Sequence, residues 1–313
     1  MPVRGVVLSV IVALMWAVSP VLMKEGMKHC TPNEVPPVRS VSFIVTMSLL
    51  MLIIQPGQMP YLTPKLLAGL MGSVALSTLL GDLLFTYSIQ KIGASLAVSV
   101  SCGYPLIAVL FSILLLGEQV SFLVWCGTVL IVLGLLVIKL DASLQSGRNA
   151  GYKLMDYDEM ERRRADMTKG ILFALGSAVC SGINIPVIKL LMLEGGWNAT
   201  ESYFLRATAF FIMAWTLREV QHHVAPETVK LLRTVPAKSW LALLGSGIIG
   251  MAVSGVIFGK CIDEFPVSVV TPVTASSPFM TVILSRIFLK EKLSRMQCAG
   301  VSLVIAGSVS VSL

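Results

Sequence analysis

Long apolar runs alternate with short polar ones along the whole chain. A helix needs about 20 apolar residues to cross the hydrocarbon of a bilayer, and ten runs qualify: residues 5–27, 35–54, 65–88, 93–116, 120–140, 170–193, 199–219, 239–262, 266–289 and 294–312. The pattern predicts an all-α membrane protein of ten transmembrane helices. The longest polar stretch, residues 141–169, follows the fifth run and reads as a linker between a five-helix unit at 5–140 and a second at 170–312. No small-residue cleavage site stands out beside the first run, so it is expected to stay as the first helix.

The two units repeat each other. A slide of 173 residues lays Lys65–Ser121 over Lys238–Ser294 without a gap, placing Pro105 over Pro278, Ser112 over Ser285 and Glu118 over Glu291, and it continues to Gly127 over Gly300 and Gly134 over Gly307. At a slightly different offset Lys24 falls over Lys189, Glu34 over Glu201 and Arg39 over Arg206. Five is an odd number of spans, so the second unit must enter the membrane from the opposite face. The expected fold is two inverted five-helix repeats, an architecture that lets one site face either side in turn.

Composition agrees with a bilayer protein: 55% of the residues are hydrophobic and 13% charged, against about 25% charged in an ordinary soluble domain. The net charge of +7 comes from basic residues in the short connecting segments, which marks orientation rather than nucleic-acid binding. Calling the face of both termini side A, side B receives Lys28, Lys91, Lys238 and Lys290 together with the Arg162–Arg164 cluster of the linker. By the positive-inside rule side B, and with it the linker 141–169, lies in the cytoplasm. The six cysteines have no CxxC spacing and sit in or beside apolar runs, so neither a zinc site nor a disulfide framework is indicated.

Each unit resembles an EamA-type domain of the drug/metabolite transporter (DMT) superfamily. In the first unit the resemblance rests on Trp16 and Lys24 in the first helix and on Arg39 opening the second. It continues through Gly81–Ser95, Pro105, Leu114–Glu118, Gly127 and Gly134. In the second it rests on Lys189, Arg206, Pro278, Glu291, Gly300 and Gly307, with Gly255 standing where Asp82 stands in the first. The resemblance implies a carrier in the cell (inner) membrane, with a central cavity lined by the first, third, fourth, sixth, eighth and ninth helices. For many relatives it also implies cytoplasmic termini, against the charge count.

Asp82 is the residue most suggestive of chemistry, because it lies about 9 Å inside its expected span by the 1.5 Å rise, among leucines. An ionisable group there is functional unless structurally paired. Lys24 or Arg39, both toward side B, is expected to neutralise it and form a gate or substrate clamp, whereas Lys260 lies toward side A, too far to pair. Lys24 and Lys189 also fit a plainer role as cations snorkelling from helix ends. Pro105 and Pro278 are expected as mid-helix kinks, with Tyr104 as a cavity wall. The substrate-binding candidates are Trp16, Ser19, Lys24, Arg39, Asp82, Tyr104, Asn184, Lys189, Arg206, Lys260 and Ser277. Glu118 and Glu291, each after a long apolar helix and before the next, are expected to staple a hairpin through a helix N-terminus.

These readings predict a secondary active transporter that moves a small polar metabolite, an amino acid or organic anion, outward by alternating access. A proton or counter-substrate is the expected coupling partner, and no cofactor, metal or nucleic acid is expected. The alternative is a flippase or carrier for a lipid-linked sugar or phosphate. An intramembrane enzyme is disfavoured: Asp82 has no partner acid in another span, the run Leu79-Leu80-Gly81-Asp82 departs from GxGD, and His29, His222 and His223 lie outside the spans.

Overall fold

The computed structural model describes residues 3–55, 60–93, 97, 100–101, 103–149, 157–224, 235–277, 280 and 295–312. Among them there is no strand. The first unit contributes α1 (Val3–Gly26), α2 (Val35–Ile54), α3 (Pro64–Ile92), α4 (Tyr104–Leu116) and α5 (Phe122–Asn149). The second contributes α6 (Tyr157–Gly195), α7 (Ala199–Val224), α8 (Ala237–Glu264), α9 (Val267–Thr274) and α10 (Arg295–Ser312). Five of these, α1, α2 with its preceding turn, α3, α8 and residues 165–195 of α6, are long and apolar enough to span a bilayer.

Among the described residues, three of the other helices depart from the full spans expected, for identifiable reasons. α4 is short because the chain turns at Gly103, and Pro105 sits in the first turn of α4, where a missing N–H costs nothing. The proline thus opens a helix instead of kinking one. In the second unit α9 ends at Thr274 and the chain turns at Ala275 and Ser276, while Pro278 lies outside the described residues. α7 carries Glu201 and Arg206 within its first turns, which lowers its apolarity. The polar linker is largely helical, since α5 runs to Asn149 and α6 begins at Tyr157.

Local sequence explains the entries to α2 and α7, and with them the repeated glutamates. Glu34 reaches back to the backbone N–H of Thr31 (2.7 Å), and Glu201 to that of Asn198 (2.8 Å), each as the acidic half of a capping box. Both are helix caps, and Glu34 is fully buried as one.

The packing exchanges the two units. α2 packs on α7, α4 on α9 and α5 on α10; α3 and α4 pack on α6 as α8 and α9 pack on α1. Every pair maps onto itself or onto another when the units are swapped, as a twofold relation requires. The phenylalanines at equivalent positions, Phe43 and Phe210, meet at 6.5 Å between ring centroids. α5 and α10 cross on the repeated glycines: a Cβ on Gly134 would lie 2.6 Å from the Gly300 carbonyl oxygen, and one on Gly307 2.6 Å from that of Gly127. Only glycine lets these backbones approach so closely.

Ion pairs at the helix ends give the directions. Arg4 at the start of α1 meets Glu264 at the end of α8 (3.7 Å), and Lys189 near the end of α6 donates to the Phe265 carbonyl (3.1 Å). The start of α1 and the end of α6 therefore share one side, so equivalent helices of the two units run in opposite directions. Lys65 with Glu194 (3.0 Å) lies on that same side, and Lys238 with Glu25 (3.2 Å) and Lys91 with Asp166 (2.6 Å) on the other.

Candidate substrate cavity

A cavity of about 290 Å³ lies between the two units. It is lined from α1 by Trp16 and Ser19, from α2 by Arg39 and Phe43, from α3 by Ser77, Thr78 and Asp82, and from α4 by Tyr104. The second unit contributes Asn184 from α6, Tyr203 and Arg206 from α7, Gly250, Gly255 and Phe258 from α8, and Ser277. The six expected helical segments are represented, and α2 and α7 join them through their arginines. Eight of the candidates named from sequence line the cavity: Trp16, Ser19, Arg39, Asp82, Tyr104, Asn184, Arg206 and Ser277. Lys24, Lys189 and Lys260 do not. Lys24 and Lys260 are exposed near helix ends, as long cationic side chains with water in reach prefer.

Two π-helical segments at equivalent positions, Val74–Gly81 in α3 and Ile248–Val253 in α8, flank the cavity. The wider turn redirects the side chains that follow it, and Asp82 is the first residue after the segment in α3. Because α3 continues to Ile92, Asp82 stands ten residues from the helix end, about 15 Å by the helical rise, deeper than its sequence suggested. Of the two cations expected beside it, Arg39 takes the position: Nη1 donates to Asp82 Oδ1, with the arginine side chain 4% and the aspartate 14% exposed. The contact is single. Arg39 Nε and Asp82 Oδ2 are both buried with no hydrogen-bond partner among the described residues, so the pair lacks the forked geometry a guanidinium can offer a carboxylate.

The equivalent arginine of the second unit has different company. Arg206 Nη1 donates to Ser73 Oγ (2.6 Å) and Nη2 to Thr78 Oγ1 (2.8 Å). When the Asn184 amide is oriented by its neighbours, its oxygen accepts from Arg206 Nη2 (3.0 Å) and its nitrogen donates to Ser73. All these partners are neutral, and among the described residues no carboxylate lies within ion-pair distance of Arg206. The acid's place is taken by an aromatic ring, since a Cβ on Gly255 would overlap Tyr203. Sequence reasoning missed Ser73, Thr78 and Tyr203. The register of the repeat, which lays Ser73 over Ser246, could have singled out the serine, but Tyr203 falls opposite Pro36 and carries no such signal.

Away from the cavity, Glu118 accepts from the backbone N–H groups of Val267 (2.8 Å) and Ser268 (3.0 Å), and from Lys189 Nζ (3.4 Å). The staple expected between adjacent helices is thus a clasp between units: Glu118 caps α9, while Ser121 serves the start of α5. Gly117, at φ +64°, turns the chain out of α4 toward α9. Burial opposes ionisation of Glu118, yet the N–H and hydroxyl of Ser268, the N–H of Val267 and the Lys189 charge outweigh it and hold its carboxyl below the ordinary range. Glu291 lies outside the described residues.

The model of the EamA-like transporter family matches residues 3–140 and 168–313. The fold is similar to that of a chain designated only "Crystal structure of protein", at a TM-score of 0.72 and 14% identity, over 99% of this chain and 96% of that one. Among curated proteins none matches.

Proposed function

From the premise that the chain belongs to the EamA-like transporter family, as a multi-pass membrane transporter of the DMT superfamily, we propose that it is a secondary active carrier moving a small polar metabolite outward by alternating access. The observation that carries this reading is the cavity itself. It lies where oppositely running units meet, holds two arginines and an aspartate within apolar helices, and is sized for a small molecule. Charges at that depth are costly unless they serve a substrate or ion path.

In this proposal the single-contact Arg39–Asp82 pair acts as a gate or clamp that a substrate or coupling proton can open. The linker 141–169 faces the cytoplasm, and the membrane is the cell membrane. The test is uptake of a panel of labelled amino acids and organic acids into proteoliposomes holding folded protein. Accumulation above protein-free vesicles is expected for at least one class, and none for any compound would reject the carrier reading.

A further inference from the structure

Arg39 and Arg206 occupy the same place in the two units, yet only one faces an acid. The cavity's described charged groups are therefore two guanidiniums and one carboxylate, a surplus of one positive charge inside apolar helices. A guanidinium does not shed its proton in a protein, so this surplus cannot be titrated away. The fold holds it with hydroxyls and an amide alone, a task a neutral donor could perform without the cost of burying a charge. Gly255 and the Tyr203 ring that overlies it leave no room for a second aspartate, so the asymmetry is built in.

We propose that Arg206 is the anchor for the carboxylate of a substrate of net charge −1, a small organic acid or acidic amino acid, whose charge balances the cavity. This rests on the carrier reading above. Ser73 takes a bond from Nη1, and Thr78 and Asn184 take bonds from Nη2, so these neutral side chains position the guanidinium at the cavity wall. Zwitterions leave the surplus charge in place. Dianions overshoot it.

The full chain is reconstituted and tested for uptake of labelled L-lactate and L-glutamate (net −1), L-alanine (zwitterion), lactamide (neutral), succinate and sulfate (about −2), and putrescine (dication). Thermal stabilisation of the purified protein by each compound is measured in parallel. Lactate or glutamate should be taken up and should stabilise the protein. Arg206→Gln should weaken both effects by about tenfold to a hundredfold, the range for a hydrogen bond to a charged group. Arg206→Lys should retain part, and Thr78→Val, which guards against a misfolded Arg206 variant, should weaken binding without reversing the charge preference. Uptake confined to alanine, lactamide or putrescine and indifferent to Arg206→Gln would overturn the anchor while leaving the carrier intact. Preference for succinate or sulfate would overturn the charge-balance argument. If nothing is taken up the carrier reading fails, and stabilisation alone decides the anchor: lactate or glutamate must stabilise the wild type and not Arg206→Gln, and absence of that difference refutes it.

Discussion

Arg39 and Asp82 should be coupled, and unequally. Removing one member of a well-buried pair costs about 3–5 kcal/mol, chiefly because the survivor is left charged and unpaired. Here Asp82 retains 14% exposure and borders the cavity, while Arg39 has 4%. The lower end, about 3 kcal/mol, is therefore the fitting scale for losing Arg39, because the stranded carboxylate keeps some exposure to the cavity. Losing Asp82 strands the more deeply buried guanidinium beside a second uncompensated one at Arg206, so Asp82→Asn should be the more damaging change. Asp82→Asn with Arg39→Gln removes both charges and should be less impaired than the sum of the singles by about 1–3 kcal/mol. The assay is the thermal midpoint for loss of the monodisperse purified protein, with uptake normalised to folded protein. Additive losses, or an Arg39→Gln variant worse than Asp82→Asn, would refute the reasoning.

Three further outcomes follow from contacts elsewhere. Glu118→Gln should lower stability by about 1.5–3 kcal/mol, the scale of hydrogen bonds to a charged group, and leave substrate preference unchanged; a stable but transport-dead variant would put the carboxylate in the mechanism. The pH sign is fixed by its depressed ionisation: the clasp's contribution is present above the ordinary carboxylate range and is lost as pH falls through the lowered folded value, so wild type should lose more stability on acidification than Glu118→Gln. Gly255→Ala should cost about 1–3 kcal/mol through overpacking against the Tyr203 ring, and the loss should shrink in a Tyr203→Ala background. A reporter active only in the cytoplasm should signal when fused after Gly151 and stay silent after Leu313; the reverse would show that the basic side faces outward.

The sequence carried the repeat, the membrane class and the pairing of Asp82 toward side B because each depends on order along the chain. Charge at a stated depth in an apolar run is one-dimensional information. What it could not carry depends on which residues of different helices meet. Glu118 illustrates this: a carboxylate just past a helix reads as serving its neighbour in the chain, yet Gly117 turns it across the unit boundary to α9, where Val267 and Ser268 present unbonded N–H groups. The lysines misled for a related reason, because Lys24 and Lys260 share the charge of the arginines but lie at helix ends with water in reach.

Arg206 shows the same limit in its most consequential form. By register it equals Arg39, and a repeat read literally assigns both the same task. The difference lies in one position, Asp82 against Gly255, and in a tyrosine ring that no alignment of the halves places there. Two halves with the same backbone need not hold the same charge. A strictly symmetric pair of ion pairs would leave the cavity electrically neutral and indifferent to an anion. Deleting one acid while keeping its arginine converts a structural repeat into a site with a sign, and that conversion is why Arg206, rather than the already neutralised Arg39, is where a substrate's charge should be felt first.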